Sequence, residues 1–194
     1  MNPQRRAYAA ELYQSYRRDD AAQADRLNRW RSIEPESAEL LAILILAKQA
    51  KRILEIGTSG GYSALWLADA AEQTGGHLTS LEIEEARRQT ALGHLEANGL
   101  TGRATLLCTD AADFLQKHAE PYDFILLDAE RPAYPAYWPH LTQCLSEKGA
   151  LLVVDNVVSH GGQVQEFIAL VQADERFEST TLPTGAGLLL VTRK

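Results

Sequence analysis

The sequence ILEIGTSGGYSALWLA, residues 53–68, decides the fold of this chain. An apolar run that ends at Gly57 is followed by Gly60 and Gly61 and then by a helical pattern, which predicts a strand, a tight turn and a helix. The spacing G-x-x-G-G differs from the G-x-G-x-x-G spacing of dinucleotide-binding sites. The glycines either let the backbone approach a ligand closely or serve only to make a tight turn.

Strand and helix patterns alternate on the carboxyl side of this unit. Strands are predicted at residues 52–57, 77–83, 104–109, 122–129 and 150–156, and helices at 61–73, 84–97, 111–118, 134–146 and 161–173. Several strands are almost continuously apolar, which is typical of parallel strands covered by helices on both faces. The last two strands, 177–183 and 187–194, lie too close for a crossover helix and predict a hairpin. The expected fold class is α/β, a doubly wound, mostly parallel sheet of seven strands with an antiparallel C-terminal hairpin.

Extra helices are predicted in front of the sheet, at about 4–17, 19–31 and 36–50. With 194 residues the chain suits a single domain, in which 1–50 forms the N-terminal helices and 51–194 the cofactor-binding core. The longest apolar run, Leu40 to Ala47, is shorter than the ~20 residues that cross a bilayer, so no membrane contact is expected. The two cysteines, Cys108 and Cys144, lack metal-type spacing and indicate free thiols in a cytoplasmic protein.

Charge is distributed unevenly along the chain, whose net charge is −7. Residues 1–32 carry seven arginines against four acidic residues, whereas the remainder is strongly acidic. An acidic body argues against broad nucleic-acid binding, which depends on phosphate neutralisation. The arginine-rich segment is either a solvated helix face or a surface that contacts RNA or another subunit.

The carboxyl ends of the first three strands supply candidates for a nucleotide-type cofactor site. In open α/β sheets, ligands bind beyond these ends, where the strand order reverses. Glu82 ends the second strand, and an acid there can accept hydrogen bonds from both ribose hydroxyls. Asp110 ends the third strand and either faces an adenine amino group or caps the helix that starts at Ala111.

Polar residues also follow the fourth and fifth strands, namely Asp128 and the pair Asp155-Asn156. If these two strands are neighbours, their ends lie ~5 Å apart and the three side chains converge. Hard oxygen ligands of this kind suit Mg²⁺, Mn²⁺ or Ca²⁺ better than zinc. The alternative is that each aspartate caps the helix that follows it.

The ordered motifs resemble those of the metal-dependent O-methyltransferases, a class I group that includes catechol and caffeoyl-coenzyme A O-methyltransferases. They are ILEIGTSGGYSALWLA, TSLE, CTDA, LLDAERPAY and VVDNVVSHG, and the resemblance covers residues 36–194. It implies a Rossmann-like fold, the cofactor S-adenosylmethionine and a divalent cation, Mg²⁺ before others. The implied cofactor contacts are Gly57, Tyr62, Ser63, Glu82, Asp110 and Ala111, with Ser63 at the carboxylate end of the cofactor. The implied cation ligands are Asp128, Asp155 and Asn156.

Two positions depart from the family pattern. Where the family places a lysine thought to deprotonate the substrate, this chain has Arg131, and a guanidinium stays protonated near neutrality and cannot serve as a base. Arg131 could instead orient an anionic substrate or stabilise an oxyanion, and we take it with Asp128 as the catalytic candidates. Glu130 also differs from the usual residue, and the proton could pass to the metal-bound water network, to Glu130 or to His160.

The resulting hypothesis is metal-assisted O-methylation of a small acceptor with vicinal oxygens, such as a catechol. A hydroxylated wobble uridine of tRNA is a second candidate acceptor. The chain could also be a non-catalytic protein that binds S-adenosylmethionine, or a nicotinamide-dependent oxidoreductase. Bacterial members of the family are commonly dimers, so a homodimer is expected.

Overall fold

The computed structural model describes residues 1–194 and contains one seven-stranded sheet of order β3-β2-β1-β4-β5-β7-β6. The strands are β1 Arg52–Ile56, β2 His77–Glu82, β3 Ala104–Cys108, β4 Phe124–Leu127, β5 Leu151–Val154, β6 Phe177–Leu182 and β7 Leu188–Arg193. Strands β1 to β5 are parallel, whereas β7 runs antiparallel to both β5 and β6. The predicted fold class and the C-terminal hairpin are therefore confirmed.

Seven α-helices accompany the sheet. They are α1 Pro3–Ala22, α2 Pro35–Lys48, α3 Tyr62–Thr74, α4 Glu85–Ala97, α5 Ala111–Lys117, α6 Tyr134–Cys144 and α7 Gly161–Ala173. None of them combines the length with the apolar composition that a bilayer span requires. Asn98 is the C-cap of α4, and Gly99 follows it with φ +65°, a conformation in which glycine commonly ends a helix.

The predicted helix at 19–31 is wrong. Helix α1 continues to Ala22, and residues 23–34 form a mostly extended segment, here called the strap, with a short 3₁₀ turn at Arg26–Asn28. The physical reason is that Asp20, at the end of α1, accepts hydrogen bonds from the backbone N–H groups of Trp30 (2.7 Å) and Arg31 (3.0 Å). These bonds fold the strap back toward α1, and Arg31 adopts φ +51°, which a helix does not permit.

The hydrophobic core forms two clusters, one on each face of the sheet. The first cluster packs the four helices α1, α2, α3 and α4 against the sheet. Tyr16 of α1 and Leu41 of α2 therefore belong to the same cluster as Ile53 and Phe124 of the strands. The second lies beneath α5, α6 and α7. Burying a large apolar side chain stabilises a fold by roughly 1.5–3 kcal/mol, so the N-terminal helices are integral to the core.

The sheet order changes direction between β1 and β4, because β2 lies on one side of β1 and β4 on the other. Where the strand order reverses in this way, a crevice lies open beyond the carboxyl ends of the strands. The strands β4 and β5 are hydrogen-bonded neighbours, with Leu127 opposite Val154. The residues that follow these two strands therefore emerge side by side at the crevice.

Candidate active site

A cavity of about 930 Å³ opens at the carboxyl ends of the parallel strands, a size typical of small-molecule sites. Its walls come from the strap, the turn after β1 and the ends of β2 to β5. The structure places every residue predicted for the site in this wall: Gly57, Tyr62, Ser63, Glu82, Asp110, Ala111, Asp128, Arg131, Asp155 and Asn156. One cavity thus brings the predicted cofactor end and the predicted reactive end together.

The glycines of the turn after β1 are required by the packing of the chain on itself. Gly57 has φ +103°, and a Cβ there would lie 1.9 Å from the backbone oxygen of Asp128. Gly61 has φ +84°, and its Cβ would lie 2.7 Å from the Cα of Ala91 in α4. The turn therefore seats β1 tightly against the end of β4 and against α4, whether or not a ligand is bound.

Glu82 fixes the turn after β1 from the neighbouring strand. The side chain is buried, and its Oε2 accepts a hydrogen bond from the backbone N–H of Ser59 at 2.7 Å. Its Oε1 accepts from the N–H groups of Ile83 (2.9 Å) and Glu84 (3.0 Å). The carboxylate is held in one orientation at the cavity wall, with lone pairs left for hydroxyl donors.

Asp110 is the N-cap of α5, one of the two roles that the sequence predicts for it. Its Oδ1 accepts hydrogen bonds from the N–H groups of Ala112 (2.8 Å) and Asp113 (3.1 Å). Ala111 is the first residue of the helix, and both Asp110 and Ala111 line the cavity. Capping orients the carboxylate through one oxygen, which leaves the second oxygen for a ligand.

Tyr62 and Ser63 form the first turn of α3, where backbone N–H groups lack helical partners. Both side chains are buried, and the Tyr62 ring packs against Tyr13 of α1 with ring centroids 5.3 Å apart. Burial raises the pKa of Tyr62 to about 12, so its hydroxyl stays protonated. Tyr62 is held by α1 as well as by its own helix.

Glu55 is a buried acid that the sequence reasoning missed. It accepts a hydrogen bond from Ser80 of β2, whereas its Oε1 has no partner. Burial raises its pKa to about 8. The sequence does contain a signal for Glu55, namely an acidic residue in the centre of the apolar run ILEIG. Burying a carboxylate costs free energy unless it is paired or serves a function.

Asp128, Asp155 and Asn156 converge at the ends of β4 and β5. The Asn156 side-chain amide donates hydrogen bonds to Asp128 Oδ1 (3.2 Å) and Asp155 Oδ2 (2.8 Å). Asn156 itself has φ +65°, a conformation that asparagine tolerates better than most residues. Neither aspartate is the N-cap of a helix, since those positions of α6 and α7 are Ala133 and His160. A capping role is therefore wrong for this pair.

The chemistry of this group of three side chains fits a hard divalent cation. Burial raises the pKa of both aspartates, and the repulsion from Asp128 raises that of Asp155 further. Asp155 Oδ1 is buried without a hydrogen-bond partner. No third acid, histidine or cysteine joins them, so the donors are two carboxylates and one amide, whose oxygen would face the cation once the amide turns over.

Arg131 and the strap close the reactive end of the cavity. The Arg131 side chain is buried, its Nη1 donates to the Gln163 side-chain oxygen at 3.3 Å, and its Nε has no partner. Arg31 of the strap forms an ion pair with Glu130 at 2.9 Å. The strap is a second feature that the sequence reasoning missed, because its course depends on side chains distant in sequence.

The strap is anchored beside the cofactor end through its backbone carbonyls. Ser59 donates its hydroxyl to Trp30 O at 2.7 Å, and Arg87 of α4 donates to Leu27 O at 2.6 Å and Arg29 O at 3.1 Å. Arg87 is nearly buried and also lies over the Trp30 ring. The strap thus forms a fixed wall of the cavity.

The geometry agrees with what known proteins show. A family model described as O-methyltransferase matches residues 5–194. The chain is 34% identical over 139 residues to a catechol O-methyltransferase of Niastella koreensis, a match that covers 70% of this chain and 62% of the relative. It is also 34% identical over 148 residues to a catechol O-methyltransferase of Mycobacterium tuberculosis, a match that covers 76% of this chain and 64% of the relative. The matched part is thus slightly less than two thirds of each relative.

Solved structures show the same fold. An O-methyltransferase from Bacillus cereus in complex with SAH has a TM-score of 0.80 and 28% identity, covering 97% of this chain and 91% of that one. The O-methyltransferase TomG from Streptomyces achromogenes, in complex with SAM, has a TM-score of 0.80 and 26% identity, covering 100% and 91%.

Proposed function

The chain belongs to the O-methyltransferase family, and on this premise we propose that it methylates an oxygen of a small acceptor that carries two adjacent oxygens. S-Adenosylmethionine is the proposed donor and Mg²⁺ the proposed metal ion. The proposal rests on one observation. The glycine turn after β1 lines the same cavity as two carboxylates, Asp128 and Asp155, which follow the adjacent strands β4 and β5. A catechol satisfies the requirement for vicinal oxygens, as the names of the two relatives suggest.

The cofactor is held in this proposal by the residues around the turn after β1. Glu82 accepts hydrogen bonds from the ribose with the lone pairs that its three backbone contacts leave free. Ser63 and the N–H groups of the first turn of α3 receive the carboxylate end. Gly57, Tyr62, Asp110 and Ala111 complete the cofactor contacts.

Asp128, Asp155 and Asn156 would hold the cation. When bound, the cation lowers the pKa of an acceptor hydroxyl, and S-adenosylmethionine supplies an activated methyl group. The task left to the protein is to orient the acceptor, and Arg131 remains protonated there because a guanidinium does not lose its proton near neutrality. Glu130 is engaged by Arg31, which leaves His160, also in the cavity wall, as the proposed proton acceptor.

Replacing Asp155 by Asn tests the metal part of the proposal. We expect Asp155→Asn to lower kcat/KM for catechol by about 100-fold or more, because the uncharged amide binds a hard cation poorly. The Kd of S-adenosylmethionine, measured by calorimetry, should change little, and EDTA should abolish turnover of the unmodified protein. The control is Asp19→Asn, at an exposed position of α1 outside the cavity.

Three results separate the parts of the proposal. Turnover that survives EDTA or Asp155→Asn contradicts metal assistance. Cofactor binding without methylation of any catechol contradicts the proposed acceptor. Absence of cofactor binding contradicts the methyltransferase proposal as a whole.

The structure bears on two further expectations. Arg5 pairs with Asp69 and Glu72, and Arg6 pairs with Glu39, so these two arginines are engaged within the chain, whereas Arg17 and Arg18 of the same helix form no ion pair and keep an RNA acceptor as the second candidate. Cys108 and Cys144 are both free thiols, which supports our proposal of a cytoplasmic protein because reducing compartments preserve thiols.

A further inference from the structure

We propose that the acceptor carries a negatively charged group, represented by a carboxylate, which Arg131 and Arg26 bind at the reactive end of the cavity. The inference rests on the proposed function, since it names the class of acceptor for the same site. Four observations support it. The Arg131 guanidinium is buried, a second unpaired arginine lines the same cavity, and the acids of the cavity wall have other partners. Arg131 also follows β4 and is not part of the turn after β1.

The first observation is the state of the Arg131 side chain. It is only 6% exposed, its Nε has no hydrogen-bond partner, and its one hydrogen bond is a long contact with the Gln163 side-chain oxygen. It forms no ion pair with Asp128 or Asp155, the acids that flank it. Burying a charge without a partner is unfavourable, so this guanidinium is set for an anion that enters the cavity.

The second observation is that further arginines line the same cavity as Arg131. Arg26 of the strap, an exposed side chain, forms no ion pair, whereas Arg31 pairs with Glu130. His160 lines the same cavity, where burial and the charges of Arg131, Arg26 and Arg31 lower its pKa. The cavity wall therefore presents two guanidinium groups, Arg131 and Arg26, that form no ion pair with an acid of the protein.

The third observation is that the acids of the cavity wall already have partners. Glu82 and Asp20 accept backbone N–H groups, Glu84 pairs with Arg87, Glu130 pairs with Arg31, and Asp110 caps α5. Glu34 Oε2 accepts a hydrogen bond from the backbone N–H of Ala186 at 3.3 Å.

The two remaining acids of the cavity wall, Asp128 and Asp155, lie nearest to Arg131 in charge terms and are the cation ligands of the proposed function. None of the acids of the cavity wall forms an ion pair with Arg131 or Arg26.

The fourth observation concerns the cofactor, which also has a carboxylate. The proposed place for that carboxylate is Ser63 and the first turn of α3, which follows β1 in the chain. Arg131 instead follows β4, and its neighbours Asp128 and Asp155 are the proposed cation ligands. A planar guanidinium fits a carboxylate in a bidentate arrangement, which makes it selective as well as attractive.

The experiment compares protocatechuate, a catechol with a carboxylate, with its primary amide, which is neutral and nearly the same size. Binding is measured by calorimetry on protein saturated with SAH and Mg²⁺, and methyl transfer is measured with the same pair. We expect protocatechuate to be preferred by about 10- to 100-fold, the effect of one or two charged hydrogen bonds. The preference should appear in Kd and KM more than in kcat.

Variants test which residues cause the preference for protocatechuate over its amide. Arg131→Gln should remove most of it, Arg26→Gln should reduce it, and Arg131→Lys should retain part of it because the charge is kept. Arg18→Gln, at an exposed position of α1 outside the cavity, is the matched control and should leave it unchanged. Circular dichroism establishes that each variant is folded.

Three results overturn the inference. The first is equal binding of the two acceptors, and the second is a preference that survives Arg131→Gln. The third is a loss of S-adenosylmethionine affinity in Arg131→Gln that matches the loss for protocatechuate, which would assign Arg131 to the cofactor. If protocatechuate binds selectively but is not methylated, the proposed function fails whereas the anion site stands.

Discussion

Position 57 requires glycine, because φ is +103° there and the backbone of Asp128 occupies the space into which a side chain would project. This contact sets the distance between the turn after β1 and the end of β4, and so between the two halves of the cavity. A residue with a Cβ would strain the backbone and also displace Asp128. The lack of a Cβ at Gly57 therefore allows Asp128, a proposed cation ligand, to lie where it does.

We expect Gly57→Ala to lower the free energy of unfolding by about 3 kcal/mol or more, because its Cβ cannot be placed without moving β4. The measurement is urea denaturation followed by circular dichroism. The matched control is Gly93→Ala in the middle of α4, where a Cβ meets no atom within 4 Å. That substitution should stabilise the protein by up to about 1 kcal/mol through helix propensity. Equal stability of Gly57→Ala and the unmodified protein would contradict the close approach.

Among the elements, α1 is connected to the turn after β1 by a chain of hydrogen bonds. Tyr16 donates its hydroxyl to Gly60 O at 2.9 Å and accepts from His94 Nε2 of α4 at the same distance. Tyr8 then donates to His94 Nδ1 at 2.7 Å. These directions need a neutral imidazole, and burial lowers the pKa of His94 accordingly. Helix α1 therefore supports the turn as well as the core.

Tyr16→Phe should weaken S-adenosylmethionine binding by about 5-fold, since it leaves the Gly60 carbonyl unpaired at a cost of about 1 kcal/mol. Calorimetric titration measures this change. Tyr13→Phe is the control, because Tyr13 packs against Tyr62 through its ring. An unchanged Kd in Tyr16→Phe would show that α1 contributes only to packing.

For the whole molecule, the shared cluster of α1, α2 and the sheet predicts that residues 1–194 unfold as one unit. Differential scanning calorimetry should show a single transition. S-Adenosylmethionine at 100 times its Kd should add about 2.7 kcal/mol and raise Tm by roughly 5–10 °C. NADH should give no shift, and a shift would support a nicotinamide-dependent oxidoreductase instead. Two separate transitions would contradict a single domain.

The strands, and the candidate residues that line the cavity at their ends, could be predicted because both depend on local sequence. Apolar runs bounded by turn residues specify strands, and parallel strands bring their carboxyl ends to one edge, where Glu82, Asp128 and Asp155 lie. The predicted strand 122–129 is longer at both ends than β4, which spans Phe124–Leu127, although the Asp128 N–H still donates to Ile56 O of β1 at 3.0 Å. Short motifs carry this information because each concerns residues that are neighbours in the chain.

The sequence by itself determined the α/β class, the hairpin and the position of the cofactor and cation candidates. Only the tertiary structure decided that the strap is not a helix, that Glu55 is buried and that Arg131 lacks a carboxylate partner. The reason is that these properties depend on contacts between distant residues, such as Asp20 with Trp30 or the strand ends around Arg131. Local patterns set which residues reach the cavity, and packing sets which of them remain available for a ligand.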